Sequence, residues 1–208
     1  MKRNFTLLFV LLICCCTLSA QPSGYTQQTG TAQTSLIKNI TSAASHLNTL
    51  KVNFTQEKKS KSFSNPAVSN GTLSYKKSNQ LCWAYTTPRA YSIILNSKGA
   101  FLKTAKGSTK NKMIGEMATL ILRTINGEGL TSNSDFNLNY YKGKDILVYL
   151  TPKSKRFQEM YKSIEVYLNP QTFLATSVKM IEKNGDVTVI KFTNHQKNIT
   201  LPATEFQE

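Results

Sequence analysis

The side chains that could perform acid–base chemistry are few in this sequence and widely scattered. There are 2 histidines and 11 carboxylates among the 208 residues. His46 and His195 stand far apart, and carboxylates such as Glu57 and Glu116 fall near the ends of predicted elements. General acid–base catalysis requires such groups to be positioned together at one site. The pattern therefore does not indicate an enzyme.

Short motifs that mark nucleophilic, phosphate-binding or metal-dependent sites are also missing from the sequence. No serine occurs in a Gly-x-Ser-x-Gly turn, and neither the Walker phosphate loop nor the His-Glu-x-x-His zinc motif is present. Asn-x-Thr tripeptides beginning at Asn39, Asn53 and Asn198 match the glycan acceptor pattern, which is too short to carry weight. We expect no catalytic residue, no cofactor and no metal site.

Cysteine usage limits the redox and metal chemistry further. Cys14, Cys15 and Cys16 lie in the apolar run that ends the predicted signal segment, where they leave open an acylated lipoprotein signal, although no small residue precedes Cys14. Cys82 is the one cysteine beyond that segment, so no internal disulfide and no cysteine-based metal site are expected. A nucleophilic role for Cys82 would need a neighbouring base that the sequence does not place.

The first twenty residues have the organisation of a cleaved secretion signal. Lys2 and Arg3 precede an apolar run over residues 5–16, which is shorter than the roughly 20 residues that a membrane-spanning helix needs. Small residues follow, so we expect cleavage after Ala20, or alternatively after Ser19. The sequence thus predicts a secreted protein whose mature part is long enough for one domain.

The charge is strongly positive, with a formal net value of +15. Such a value often indicates nucleic-acid binding. The lysines are scattered rather than gathered on one helix, and a secreted protein rarely meets nucleic acid, so no nucleic-acid partner is expected. Attraction to anionic membranes or acidic partners and simple solvation of the surface remain as alternatives.

The clearest periodicity lies in a hairpin predicted over residues 71–88. Large apolar residues alternate with polar ones on both of its strands: Leu73, Tyr75, Leu81, Trp83 and Tyr85. A period of two sends these side chains to one face of a sheet. No acid, base or metal ligand lies in this row, so the surface is suited to holding an apolar ligand.

Two helices and about ten or eleven short antiparallel strands are predicted around this hairpin. Residues 21–33 are polar and are predicted to be a flexible leader. A helix then begins at Thr34 or Ser35 and carries an apolar stripe to Leu50, and a second helix runs from Met113 to Ile125. Strands fill residues 52–104 and 136–194. The expected fold is a single, mainly β domain over residues 34–208, in which a curled sheet is covered by two helices.

Several segments of this domain, taken in order, resemble the LolA family of periplasmic carriers of outer-membrane lipoproteins. Three of them are NFTQE from Asn53, GTLSYKK from Gly71 and LCWAYTTP from Leu81. Later segments agree with the family as well: LTPK from Leu150, SIEV from Ser163, and the hairpin from Gly185 followed by Asn198. The resemblance spans residues 36–206.

This resemblance implies an unclosed antiparallel β-barrel with a helical lid over a hydrophobic cavity. It also implies a periplasmic monomer that binds the acyl chains of lipoproteins. Such a carrier receives its cargo from an ATP-driven inner-membrane release complex and passes it to an outer-membrane lipoprotein acceptor, without catalysis. The residues expected to contact acyl chains are Leu36, Ile40, Leu47, Leu50, Leu73, Leu81, Trp83, Tyr85, Ile93, Leu95, Phe101, Met113, Met117, Leu120 and Ile121.

One position departs from the family pattern. The family commonly has an arginine before a proline in the turn after the strand that starts at Gly71, where it helps to hold the lid closed. Lys77, followed by Ser78, occupies that place. Lysine keeps the charge but loses the planar group with several donors. Lys77 is therefore the expected lid-gating residue, with Lys76 or Arg89 as alternative sources of the contact.

Two other interpretations stay open. A periplasmic lipid-binding or lipoprotein-sensing protein would share the same half-barrel, and the positive charge would suit an anionic lipid head group. An enzyme acting on a lipid is a third hypothesis. Copurified lipid without lipoprotein would favour a lipid-binding or sensing protein. Hydrolysis of a lipid ester would favour an enzyme.

Overall fold

The structure is a computed structural model that describes residues 22–125 and 127–208, so the predicted signal segment lies outside the described residues. Within these ranges, twelve strands form one antiparallel sheet. The strands are β1 Thr26–Gln28, β2 Thr49–Lys59, β3 Ala67–Lys76, β4 Gln80–Thr87, β5 Tyr91–Asn96, β6 Gly99–Thr104, β7 Gly107–Lys110, β8 Phe136–Lys142, β9 Ile146–Pro152, β10 Tyr161–Leu168, β11 Ala175–Glu182 and β12 Val187–Lys197. The helices are α1 Gly30–Ser45, α2 Lys112–Ile125, α3 Glu128–Thr131 and α4 Lys155–Met160, and a 3₁₀ helix covers Ala203–Phe206.

The strand order leaves the sheet unclosed. It runs β1-β8-β9-β10-β11-β12-β2-β3-β4-β5-β6-β7, so β1 and β7 lie at opposite edges. Register shifts within β3, β10 and β12 mark bulges, which bend a strand and increase its twist. The prediction of an unclosed antiparallel sheet is confirmed, with twelve strands described instead of ten or eleven.

The segment predicted as a flexible leader carries regular structure. Strand β1 pairs with β8 at the sheet edge, and the Tyr25 ring lies 6.3 Å from the Tyr167 ring. Helix α1 begins at Gly30 instead of Thr34. The leader prediction is wrong for residues 26–33 because a distant sheet edge supplies backbone partners that local composition does not reveal.

The end of the first helix also differs from the prediction. Helix α1 ends at Ser45, and Leu50 lies in β2, where it pairs with Tyr75 of β3. Leu47 lies in the connection between them, and both leucines are buried. The apolar spacing of three and four residues extends beyond the helix because Leu47 in the connection and Leu50 in β2 are also buried.

Three apolar clusters stabilise the sheet. One joins α1 to β8, β9 and β10 and contains Leu36 and Ile40. A second joins α2 to β2, β3 and β4 and contains Trp83 and Leu122. The third surrounds Ile94 on the opposite face of the sheet, beneath the chain segment after β12. Because the first two clusters lie on the same, concave face, the space between them is where a ligand can enter.

Candidate functional site

An apolar cleft of about 880 Å³, part of it open to solvent, lies between the two concave clusters. Its lining comes from α2 and from strands in both halves of the sheet: Gln56, Trp83, Tyr85, Ile93, Ala118, Leu120, Ile121, Thr124, Ile125, Leu150, Tyr161, Ile164, Val166, Ala175, Val178, Met180, Ile190 and Phe192. None of these lining residues is acidic or basic, so the cleft is suited to hydrocarbon.

One wall is a row of aromatic rings from β2, β4 and β5. The Phe54 ring meets Trp83 edge-on with centroids 5.3 Å apart and Tyr85 with centroids 5.0 Å apart. Tyr91 stacks on Tyr85 at 4.5 Å. Phe54 pairs with Gly71 of β3, where a Cβ atom would lie only 2.8 Å from the Phe54 ring. The Ala84 carbonyl oxygen would lie still closer to that Cβ, so the glycine of the GTLSYKK segment makes room for the neighbouring backbone as well as for the ring.

The opposite wall is aliphatic and comes from β9, β10 and β11. Ile164 pairs with Leu150, and Val166 pairs with Val178, so these side chains share one face. The sequence analysis placed these residues in strands but did not assign them to the cavity. Their period of two was the available signal, since it marks a continuous apolar face that had no other predicted cover.

Helix α2 covers the cleft. Ala118 and Leu122 anchor it in the second cluster, where only 1% and 4% of their surfaces are exposed. Leu120, Ile121 and Ile125 line the cleft and remain half-buried. They are apolar residues with incomplete packing because one side of each borders empty space. This arrangement is the one expected of a lid over a ligand site.

Two polar groups of the lining form hydrogen bonds within the protein, whereas the buried Trp83 Nε1–H has no hydrogen-bond partner among the described residues. The Tyr85 hydroxyl donates to Gln56 Oε1 at 3.0 Å, and Thr124 Oγ1 donates to the Leu120 carbonyl at 2.9 Å. Burial raises the pKa of Tyr85 above its usual value, with a further contribution from Tyr91. The phenol is neutral near pH 7, and the aromatic wall carries no charge there.

A second, smaller chamber adjoins the cleft at the end of α2, and its volume of about 370 Å³ is also partly open to solvent. The two spaces share Thr124, Ile125, Ala175 and Phe192 in their linings. His195 borders the chamber, and its Nε2 lies 2.8 Å from the Ala175 carbonyl oxygen, to which it donates. The apolar space therefore continues beyond the cleft.

The fifteen predicted cavity residues occupy different places. Five line the cleft: Trp83, Tyr85, Ile93, Leu120 and Ile121. Two line the second chamber: Leu50 and Leu73. Four pack in the apolar clusters outside both spaces: Leu36, Ile40, Leu47 and Leu81. Leu95 borders a shallow groove on the other side of α2. Met113 and Met117 lie in α2, and their side chains fall outside the described part of the structure.

Phe101 does not share the face of Trp83, and that prediction is wrong. In the ladder, Trp83 pairs with Ile93, and Ile93 pairs with Leu102. Phe101 pairs with Ile94, which lies on the convex face. Because β6 enters the sheet from a two-residue turn, the register places Leu102 and not Phe101 on the cleft side.

Groups that could react lie away from the cleft. Cys82 is buried on the convex face, where burial and the nearby Glu205 raise the pKa of its thiol to about 11. The thiol is therefore protonated and unreactive near neutral pH. Among residues 22–125 and 127–208, no group of three His, Cys, Asp or Glu side chains is placed to hold a metal ion. No helix of that part is long and apolar enough to cross a membrane.

Comparison with protein families identifies the chain. The family described as "Outer membrane lipoprotein carrier protein LolA" matches residues 45–208. The chain belongs to the LolA family. The LolA match begins at the end of α1, so it includes strands β2 to β12 and α2, which together form the cleft. It leaves β1 and nearly all of α1 outside.

Solved structures with a similar fold come from several bacteria. A LolA superfamily protein from Nitrosomonas europaea is 14% identical with a TM-score of 0.46, over 86% of this chain and 99% of that one. The lipoprotein LppX of Mycobacterium tuberculosis is 8% identical with a TM-score of 0.47, over 84% and 100%. A putative outer membrane lipoprotein-sorting protein domain from Vibrio parahaemolyticus is 11% identical with a TM-score of 0.41, over 82% and 95%. A search of curated proteins gives no match.

Lys77, the predicted lid-gating residue, contacts α1. Its Nζ donates to the Ser45 carbonyl oxygen at 3.1 Å, and its backbone N–H donates to the Asn48 carbonyl oxygen at 2.8 Å. Ser45 is the last residue of α1. A cation beside the C-terminal carbonyls of a helix interacts favourably with the helix dipole. Lys77 therefore fastens the end of α1 to the β3–β4 turn.

Proposed function

We propose that this protein is a periplasmic carrier that binds the acyl chains of lipoproteins in the cleft and moves them from the inner to the outer membrane. The observation that carries the proposal is the uncharged apolar cleft beneath α2, with lid residues that remain half-buried. Membership of the LolA family supports lipoproteins as the cargo. In this role the protein binds and transfers its cargo without catalysis.

The energetics of acyl chains explain why a covered cleft is required. Each methylene group taken out of water stabilises a complex by about 0.8 kcal/mol. Several chains of one lipid anchor therefore cannot cross an aqueous compartment unprotected. Cargo would fill the space next to Leu120, Ile121 and Ile125 and complete their burial. Release is possible because the lid can fall back over the empty cleft.

The proposal includes partners on both membranes. A cleaved N-terminal segment would direct the chain to the periplasm. An ATP-driven inner-membrane complex would load the cleft, and an outer-membrane acceptor would receive the cargo. Cleavage would remove Lys2 and Arg3, and the remaining net charge of +13 (15 − 2) would favour acidic partner surfaces in both encounters.

A release assay tests this function. Inner-membrane vesicles that carry a labelled triacylated lipoprotein are incubated with the protein and ATP, and the supernatant is separated by size exclusion. We expect a soluble one-to-one complex. Ile121→Glu, which places a carboxylate in the cleft, should abolish complex formation because an unpaired charge there opposes acyl binding.

A matched control lies on the same helix. Thr119 is exposed and does not line the cleft, so Thr119→Glu should form the complex as the unmodified protein does. If Ile121→Glu released lipoprotein normally while folded, the cleft would not be the binding site. If no release occurred and native mass spectrometry found phospholipid bound instead, the protein would be a lipid carrier or sensor.

A further inference from the structure

Phe173 lies at the far end of the second chamber in a backbone conformation that bulky residues rarely adopt. Its φ is 56°, in the left-handed region. The turn around it is closed by hydrogen bonds: Phe173 N–H donates to the Asn169 carbonyl at 2.8 Å, and Asn169 N–H donates to the Leu174 carbonyl at 2.9 Å. Asn169 Oδ1 accepts the N–H groups of Gln171 and Thr172, each at 2.9 Å. Strained residues of this kind persist where their surroundings hold them, commonly at functional sites.

Phe173 separates an apolar space from a polar one. It lines the second chamber together with Leu174. The same two residues line an open groove on the other side, between the end of α1 and the β10–β11 turn, whose other lining residues include His46, Lys197 and Asn198. Phe173 and Leu174 thus lie between the inner apolar space and a groove that admits water.

The second chamber suits a linear hydrocarbon. It is less than half the size of the cleft, opens from it beside Ile125, and is lined mainly by aliphatic and aromatic side chains. Its histidine, His195, already donates to the Ala175 carbonyl. A polar head group would find no partner there, whereas one alkyl chain would extend the row of contacts that begins in the cleft.

We propose that the second chamber receives the end of one acyl chain and that Phe173 is the stop that sets the length of chain the protein accepts. The proposal rests on the acyl-binding function proposed above. It assigns a chain-length limit to a residue that forms no part of the cleft lining.

The test is a chain-length profile. Saturated fatty acids from lauric to arachidic acid compete with a fluorescent fatty acid for the processed protein. Each added methylene should tighten binding about fourfold until the chain end reaches Phe173, where the gain stops. In Phe173→Gly the gain should continue, so that an acid two methylenes longer than the limit binds about sixteenfold more tightly than to the unmodified protein. Glycine also accepts the left-handed backbone, which protects the fold of the turn.

A second variant and a control make the outcomes distinct. Ile125→Trp fills the passage between cleft and chamber and should move the limit to shorter chains. Gln171→Ala changes an exposed residue of the same turn and should leave the profile unchanged. If Phe173→Gly and Ile125→Trp both kept the normal profile, the chamber assignment would be overturned while the proposed function stood. If the unmodified protein bound no fatty acid and no lipoprotein, both proposals would be overturned.

Discussion

Helices α1 and α2 both lie against the concave face of the sheet, but they meet different surroundings there. Helix α1 buries Leu36 and Ile40 in a continuous cluster with β8, β9 and β10. Helix α2 buries Ala118 and Leu122, yet its residues over the cleft stay half-buried. Helix α1 also has half-buried apolar residues, Ile37, Ala43 and Ala44, but none of them lines the cleft. A helix that partly spans empty space can be displaced at a smaller cost.

The polar contacts that hold the two helices also differ. The last turn of α1 accepts a hydrogen bond from Lys77, and the Asn198 side chain holds the chain just after it by donating to the His46 carbonyl at 3.1 Å. Helix α2 has an ion pair between Glu116 and Arg156 of α4 at 3.0 Å, with both side chains substantially exposed. Exposed ion pairs contribute little. We therefore expect α2 to be displaced more easily than α1, which does not line the cleft.

The largest expected difference between α1 and α2 is in the free energy of unfolding that a truncated side chain costs. Ile40→Ala should lower the free energy of unfolding by about 3 kcal/mol, because it leaves a cavity in a filled cluster. Leu120→Ala on α2 should cost about 1 kcal/mol or less, since that side chain already borders empty space. Urea denaturation monitored by circular dichroism measures both. Equal losses would mean that α2 is as much a part of the core as α1.

The next effect concerns the close approach of α2 to β6. A Cβ atom at Gly115 would lie 2.8 Å from the Ala100 Cβ, so Gly115→Val should push the helix away at a cost of about 2 kcal/mol. It should also increase the fluorescence of an added apolar dye, because the cleft opens. Thr119→Val introduces the same side chain at an exposed position of α2 and should do neither. Unchanged dye binding in Gly115→Val would argue against a movable lid.

A smaller effect is expected at the end of α1. Lys77→Ala removes a cation from the C-terminal carbonyls of the helix and should cost about 0.5 kcal/mol. Hydrogen exchange should become faster in the last turn of α1 and stay unchanged in α2. Lys77→Arg retains the charge and should restore the protection. Faster exchange throughout α2 instead would make Lys77 a gate for the lid itself.

The smallest effect is expected at the α2–α4 ion pair. Glu116→Gln should change the free energy of unfolding by less than about 0.5 kcal/mol, and added salt should reduce the difference further. Thermal denaturation at low and high salt measures it. A loss of several times that size would show that α2 is held by charge more firmly than its exposure implies.

Much of the fold is predictable from periodicity, because a strand with one buried face has an apolar side chain at every second residue. The alternation of Leu81, Trp83 and Tyr85 correctly predicted one shared face. Phe101 is predicted to belong to the same wall. Its true side depends on the two-residue turn before β6, which sets the register with β5. Leu81 shows a second limit, since a residue on the correct face can be fully packed and border no cavity.

The sequence by itself determined the class of fold, the order of its strands along the chain, the family and the lack of charged groups in the hairpin row. These properties are local: they depend on residue type and on spacing within one element. Only the tertiary structure decided that β1 pairs with β8, that Ile164 and Val178 line the same cleft as Trp83, and that Phe173 lines a second chamber. Each of these depends on the curvature of the whole sheet, which brings together residues that no local pattern connects.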